Sequence, residues 1–228
     1  MTTAYAEPIQ RTWSHPERLD FTGRHVVLTP IDPNSDVKEL YEASHGDPER
    51  LSVWNYLFNG PFESMEAMGV WLKTLERSTE PIALTVFSSE HCARVGMISI
   101  MNIVPEHGRA ELGSIWYTPS AQKTRVNTET IYLLLKHLFD DLRYRRVEWK
   151  CNNENAESKR AAERLGFQVE GLFRQHIVIK NRSRDTAWFS MIDKDWPAIR
   201  SNFEAYLNAQ DLSLTELNRR ISGNDGPA

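Results

Sequence analysis

The stretch AELGSIWYTPSAQKTRVNTE, residues Ala110 to Glu129, changes character half-way along. Its first part, within Arg109–Tyr117, is rich in branched and aromatic residues and predicts a strand that closes at Pro119. Its second part is polar. From Ile131 onward, Ile131, Leu134, Leu135, Leu138, Phe139 and Leu142 recur at the spacing of one helix face. A strand therefore feeds a helix through a loop that carries Lys123 and Arg125. A helix N-terminus presents unpaired N–H groups and partial positive charge, so such a loop suits an anion. Two cations and the hydroxyls of Thr124 and Thr128 would join those amides around a diphosphate. Asn127 tolerates positive φ and is expected to turn the chain into the helix and cap it. Solvated loop charges are the plainer account of Lys123 and Arg125. Ser120 and Lys123 also match the Ser-x-x-Lys pattern of serine acyl-enzymes, but the Ser-Asp-Asn and Lys-Thr-Gly partners of that chemistry are absent from the sequence.

Upstream, HVVLTPI (His25–Ile31) predicts a strand, followed by a helix placing Val37, Leu40, Tyr41 and Ser44 on one face behind a Ser35 or Asp36 cap. A second helix is expected over Ser64–Leu75, then strands at IALTVF (Ile82–Phe87) and RVGMISIMNIV (Arg94–Val104). Downstream, Arg146–Cys151 alternates Val147, Trp149 and Cys151 with Glu148 and Lys150, as a strand with two unlike faces does. A short helix in NAESKRAAERLGF (Asn155–Phe167) stops at Gly166. RQHIVIK (Arg174–Lys180) and TAWFSMI (Thr186–Ile192) predict a strand pair, and Trp196, Ile199, Phe203, Tyr206 and Leu207 a last helix. Three strands in a run and then a strand-helix-strand unit imply an α/β (α+β) fold with a mixed sheet and helices on its faces. Such sheets bind ligands where neighbouring strands diverge at their carboxyl ends.

The 228 residues, 40% hydrophobic and 25% charged, suit one domain with a sizeable core. A net charge of −4 provides no global field for nucleic acid, so a bound polyanion would need a local basic cluster. Cys92 and Cys151 are far apart and lack ligands at metal spacing, so neither a disulfide framework nor a metal site is expected, and an intracellular, cytoplasmic setting is. No apolar run nears the roughly 20 residues needed to cross a bilayer, and the start MTTAYAEPIQ lacks a signal-peptide core.

Three segments carry a likeness to a known family: AELGSIWYTPSAQKTRVNTE, RRVEWKCNNENAESKRAAERLGFQVEGLFRQH (Arg145–His176) and RDTAWFSMIDKDWP (Arg184–Pro197). Together they resemble the GCN5-related N-acetyltransferase (GNAT) superfamily, especially the branch of ribosomal-protein N-terminal (Rim-type) acetyltransferases. The resemblance runs from about Gly23 to Pro197. It implies an arm over residues 1–22, an acetyltransferase domain over 23–197 with a mostly antiparallel sheet, and a C-terminal helix with a frayed tail over 198–228. It also implies transfer of acetyl from acetyl-CoA to a primary amine of a small molecule or a peptide N-terminus, without metal, nucleic acid or membrane, by a monomer or homodimer. A non-catalytic acyl-CoA-binding module is the alternative.

In that family the loop after the fourth strand usually reads Gln/Arg-x-x-Gly-x-Gly/Ala, and its amides hold the cofactor pyrophosphate. Gln122 keeps the first position, while Arg125 and Asn127 replace the two small residues. The resemblance implies cofactor contacts from Gln122, Lys123, Thr124, Arg125, Val126, Asn127 and Thr128, and pantetheine pairing along Ile115, Trp116 and Tyr117. The tyrosine acid of many relatives would fall at Ala162, so the branch pattern Asn-x-x-Ser points to Asn155 and Ser158, with Ser158 beside the departing sulfur. Glu111 is the implied base, against the alternative of a solvent-facing strand glutamate. His176 is a second candidate, because an imidazole titrates near neutral pH. Asp185 is placed to orient an amine or to stabilise its strand pair. Trp54, Asn55 and Tyr56 are candidate acceptor-pocket walls, Trp54 reading rather as an ordinary core aromatic and Tyr56 open to either account; Trp116, Trp149 and Trp188 read as packing residues.

Overall fold

The structure, a computed structural model, describes residues 11–209 and 211–222. The expectations for MTTAYAEPIQ and for the end of the tail beyond Ser222 lie outside those residues. Eight strands form one sheet in the order β1 (Phe21–Thr22), β2 (Val26–Pro30), β3 (Ile82–Ser88), β4 (Ala93–Val104), β5 (Arg109–Tyr117), β6 (Arg146–Asn152), β8 (Arg182–Ile192), β7 (Gln168–Ile179). All neighbours are antiparallel except β5 and β6. The fold is mixed α/β with helices on both faces, as the order of elements implied.

One face carries α1 (Pro33–Ser44) and α3 (Met65–Arg77), joined by the single turn α2 (Pro48–Leu51) and an irregular segment. Leu40, Met68, Leu72, Met97, Trp54 and Trp116 fill that layer. The other face carries α4 (Arg125–Lys136), α5 (Ala156–Arg164), α6 (Trp196–Asn208) and α7 (Leu214–Ser222). Its core joins Leu28, Ile98, Leu134, Leu138 and Phe203 with Trp13 from the segment ahead of β1. Each such fully buried side chain contributes about 1.5–3 kcal/mol. Gly108, at φ 56, lies under the Trp13 ring where a Cβ would collide.

Three boundaries differ from the sequence reading for physical reasons. Helix α1 is capped by Asp32, whose carboxylate accepts from the Asn34 amide at 3.0 Å, with Pro33 as the first helical residue. Asp36 is instead buried, accepting from the Thr85 hydroxyl at 2.6 Å and from Arg94 at 2.6 Å. Helix α4 starts at Arg125, well before the apolar pattern begins at Ile131, because polar residues of its first turns are buried. Glu129 is the clearest, accepting from the amides of Arg24 at 2.9 Å, His25 at 2.5 Å and Val26 at 2.9 Å. Strand β7 begins earlier than Arg174, since it is the exposed outer strand and shows little alternation to read.

Candidate active site

The site starts from a failure of pairing. Strands β5 and β6 pair only through Arg109 with Arg146, Ala110 with Val147 and Glu111 with Glu148. Beyond those pairs β5 runs on to Tyr117 and β6 to Asn152, so the two strands part toward their carboxyl ends. Where they part, Lys150 of β6 spans the fork, its Nζ 2.6 Å from Glu111 Oε2 and 2.8 Å from Glu148 Oε2. Arg109 and Arg146 add further bonds to Glu148, and Arg146 continues to Glu170 on β7. Burial alone would push the Glu148 carboxyl up, but hydrogen bonds and charge from Lys150 and Arg146 overcome it and hold the carboxyl below its usual range. The charged side of the Arg146–Cys151 alternation therefore faces an ion-pair cluster rather than solvent.

Through this opening runs a cleft of about 880 Å³, toward the upper end of the roughly 300–1,000 Å³ common for ligand sites. One wall is the loop into α4. Lys123 takes the left-handed turn at φ 60, and Thr124 caps the helix, its Oγ1 accepting from the Val126 amide at 3.2 Å and donating to the Ala121 carbonyl at 2.7 Å. The turn and cap expected of Asn127 thus fall to Lys123 and Thr124, because the helix begins two residues earlier and Asn127 lies within its first turn. Asn127 lines the cleft with a buried Oδ1 that has no hydrogen-bond partner among the described residues. Gln122 donates to the Tyr117 carbonyl at 3.0 Å and closes the loop onto its strand. Lys123 is exposed beside the helix start.

Arg125 is engaged elsewhere. Its guanidinium donates to the carbonyls of Tyr206 at 3.0 Å, Leu207 at 2.8 Å and Ala209, and lies 5.1 Å from the centre of the Tyr206 ring. It caps the carboxyl end of α6, where the helix dipole favours a cation. The side chains of Val126 and Thr128 are buried, and Thr128 accepts from Arg164 at 2.9 Å. Within the loop, the cleft is lined by Gln122, Lys123, Thr124 and Asn127.

The opposite wall is the start of α5. Asn155 caps it, Oδ1 accepting from the Ser158 amide at 3.0 Å. Ser158 Oγ accepts from Trp149 Nε1 at 3.0 Å, which leaves the hydroxyl proton to donate. Burial pushes the neighbouring Cys151 thiol up, with only partial offset from Ser158. Ala162 is fully buried in the core, so an acid at that position would require repacking.

Beyond the sheet, on the α1–α3 side, Asn55 and Tyr56 line the cleft, and the Tyr56 hydroxyl reaches the Glu154 carbonyl at 3.5 Å. Trp54 is buried and donates to the Ser44 carbonyl at 3.2 Å. Glu111 is also buried, not solvent-facing; both its bonds, from Lys150 and from Asn102 at 2.7 Å, fall on Oε2, while Oε1 lies toward Gly113. His176 stands exposed on β7, its Nδ1 3.1 Å from the Thr186 hydroxyl and its ring beside Phe173 and Trp188. Asp185 accepts from the Gln175 amide at 2.7 Å, and Gln175 has φ 49, so Asp185 braces an irregularity of β7. The structure brings Ser158, Asn155, Asn127 and Ile115–Tyr117 onto one cleft, and leaves His176 and Asp185 on its flank.

Side chains that no sequence signal singled out complete the flank. Lys180 donates to the Trp54 carbonyl at 2.8 Å, and burial lowers its ammonium below the ordinary value. Arg184 stacks 5.6 Å from the Phe58 ring centre. These contacts join the β7–β8 hairpin to the segment after α2, and only the tertiary arrangement brings them together.

Comparison with known proteins agrees with this geometry. Residues 25–168 match the acetyltransferase (GNAT) domain family. The chain belongs to the GNAT family. A GCN5-related N-acetyltransferase structure from Brucella melitensis is 36% identical, covers 92% of this chain and 99% of its own, and has a TM-score of 0.87. A Bacillus subtilis protein with the provisional name ribosomal N-acetyltransferase YdaF is 22% identical over 75% of this chain and 93% of its own length. The ribosomal-protein-serine acetyltransferase of Escherichia coli is 29% identical over 43% of this chain and 54% of its own length. The likeness to the ribosomal-protein branch thus appears among named relatives, and this GNAT chain is an acetyl-CoA-dependent acetyltransferase. Among the described residues, no helix is long and apolar enough to cross a membrane.

Proposed function

We propose that this GNAT enzyme moves acetyl from acetyl-CoA directly to a primary amine of a small molecule or a peptide N-terminus. The observation that carries the proposal is the fork between β5 and β6, with its unpaired strand edges and the Ser158 hydroxyl in one cleft. The residues present fit the cofactor. Amides of the first turn of α4, with Lys123 and Thr124, would hold its phosphates, and the Asn127 Oδ1, unpartnered among the described residues, would accept from a donor group next to them. The β5 edge at Ile115–Tyr117 would pair with its amide-bearing arm. When bound, acetyl-CoA supplies a thioester as the acyl donor.

The chain's own groups then do four things. The two walls of the fork hold donor and acceptor at reacting distance, which removes much of the entropic barrier. An amide of β5 beyond Glu111 donates to the thioester oxygen. Glu111, with Oε1 unengaged, receives the amine proton directly or through water, and Ser158 delivers its hydroxyl proton to the departing sulfur.

The test is release of free thiol from acetyl-CoA with a panel of primary amines. Turnover should fall about 100-fold in Ser158→Ala with acetyl-CoA affinity retained, the size typical of losing a positioned proton donor. Tight cofactor binding with no turnover on any amine would favour the acyl-CoA-binding module instead.

A further inference from the structure

Arg184 is 7% exposed, its Nε is buried without a hydrogen-bond partner, and among the described residues its guanidinium makes no ion pair. Burying a cation without a counter-charge costs several kcal/mol, so such a residue asks for an anion. Among the described residues none supplies one. The nearby cluster sets Arg109, Arg146 and Lys150 against Glu111, Glu148 and Glu170, and is already balanced. Cys151 and Glu111 are near enough to act on Arg184, but burial holds the Cys151 thiol neutral and Glu111 Oε2 is taken by Lys150 and Asn102.

Its place in the fold gives the vacancy a meaning. The ladder between β6 and β8 ends at Asn152 with Thr186, and Arg184 lies two residues further along β8, on the strand face shared with Thr186 and Trp188. Trp188 pairs with Lys150, so this is also the face of Lys150, and Lys150 reaches Glu111. Arg184 thus stands one strand over from the fork, beyond the carboxyl end of the β6–β8 ladder and on the Glu111 side of the sheet. Phe58 covers it from the segment whose Asn55 and Tyr56 line the cleft, and the Lys180 bond to Trp54 ties the hairpin tip to that segment. A long polypeptide would have to part that seam; a small molecule would not.

We propose that Arg184 recognises the acceptor, and that the amine acetylated by this enzyme belongs to a small molecule carrying an oxyanion, a carboxylate or a phosphate, near its amino group. A planar guanidinium binds either group bidentately, and the Phe58 ring 5.6 Å from its centre packs against it. The inference rests on the acetyl-transfer reading of the cleft and deepens it by naming the substrate class.

The experiment uses matched amines: amino acids with their carboxamides, phosphoethanolamine with ethanolamine, and a peptide with a neutral N-terminal residue. The anionic member of a pair should have a kcat/KM at least tenfold higher, through KM. Arg184→Met should reduce kcat/KM for that member at least tenfold more than for the neutral one, and Arg184→Lys should fall between. The carboxylate and phosphate arms separate the two sources of the oxyanion. Equal use of both members, preference for the neutral peptide, or a preference that survives Arg184→Met would overturn the proposal. If no amine turns over, calorimetry with the cofactor site saturated by CoA decides it separately: the same acids should bind wild type at least tenfold more tightly than Arg184→Gln, and equal affinity refutes the role. Loss of CoA binding would count against the acetyl-transfer reading itself.

Discussion

On the α4–α5 side of the parted strands, the cleft is made by sequence neighbours: Ile115–Tyr117 lead into Gln122, Lys123 and Thr124, and Trp149 is followed by Asn155 and Ser158. Much of what that side offers is backbone, a free strand edge and a helix start. On the α1–α3 side the groups come from four distant places: Asn55 to Phe58, Glu111, Lys150, and the hairpin residues Lys180 and Arg184. That side works through side chains held by ion pairs and stacking. Backbone geometry tolerates changes of residue type, which is why Arg125 and Asn127 can stand where the family has small residues. Side-chain constellations do not, so substitutions on the α1–α3 side are expected to matter more.

The contrast can be broken at the fork. Lys150→Met removes the cation between two buried carboxylates, and losing one partner of such a cluster costs about 3–5 kcal/mol. The urea midpoint should drop accordingly, and a loss under 1 kcal/mol would show that the carboxylates relax into water. Acid should loosen the same point gradually. The carboxyls of Glu148 and Glu170 sit below the ordinary value of 4.5, so the folded state binds fewer protons than the unfolded chain there. Their stabilisation is present at neutral pH and is lost as pH falls below about 4.5 and on through the folded values. Unfolding midpoints across pH 7 to 3 would show it, with a flatter acid limb in Glu148→Gln.

The smallest effects sharpen the account of the α4 loop. Arg125→Ala should lose about 1 kcal/mol, through the carboxyl end of α6, with little change in acetyl-CoA affinity. Lys123→Ala should leave stability within about 0.5 kcal/mol. It should weaken acetyl-CoA binding by a few-fold, and less at high salt. The reverse pattern in calorimetry would return Arg125 to the phosphate site.

Regular alternation and helical spacing marked most strands and helices, and Asn155-x-x-Ser158 with the loop after Tyr117 marked two walls of the cleft, because local backbone structure and caps are set by residues close in sequence. Helix α4 was legible only from Ile131, since Glu129 and Thr128 are buried by partners far away in the chain. Arg125 looked like a phosphate ligand until α6 folded against it and gave its guanidinium three carbonyls. Glu148 and Lys150 read only as the charged face of a strand, yet Glu148 is buried with Glu111 and Lys150 sits half-buried between them.

What the sequence determined by itself was the order of elements, the mixed sheet and the strand-loop-helix that offers amides to an anion. All of these depend on interactions within a few residues or on periodic burial. The tertiary structure alone decided which charges meet. It seated Lys150 between Glu111 and Glu148, committed Arg125 to α6, and left Arg184 under Phe58 with no counter-charge among the described residues. A pattern of residue types specifies how a chain hydrogen-bonds and which face it buries, but the partner of a long charged side chain is fixed only when distant segments close around it.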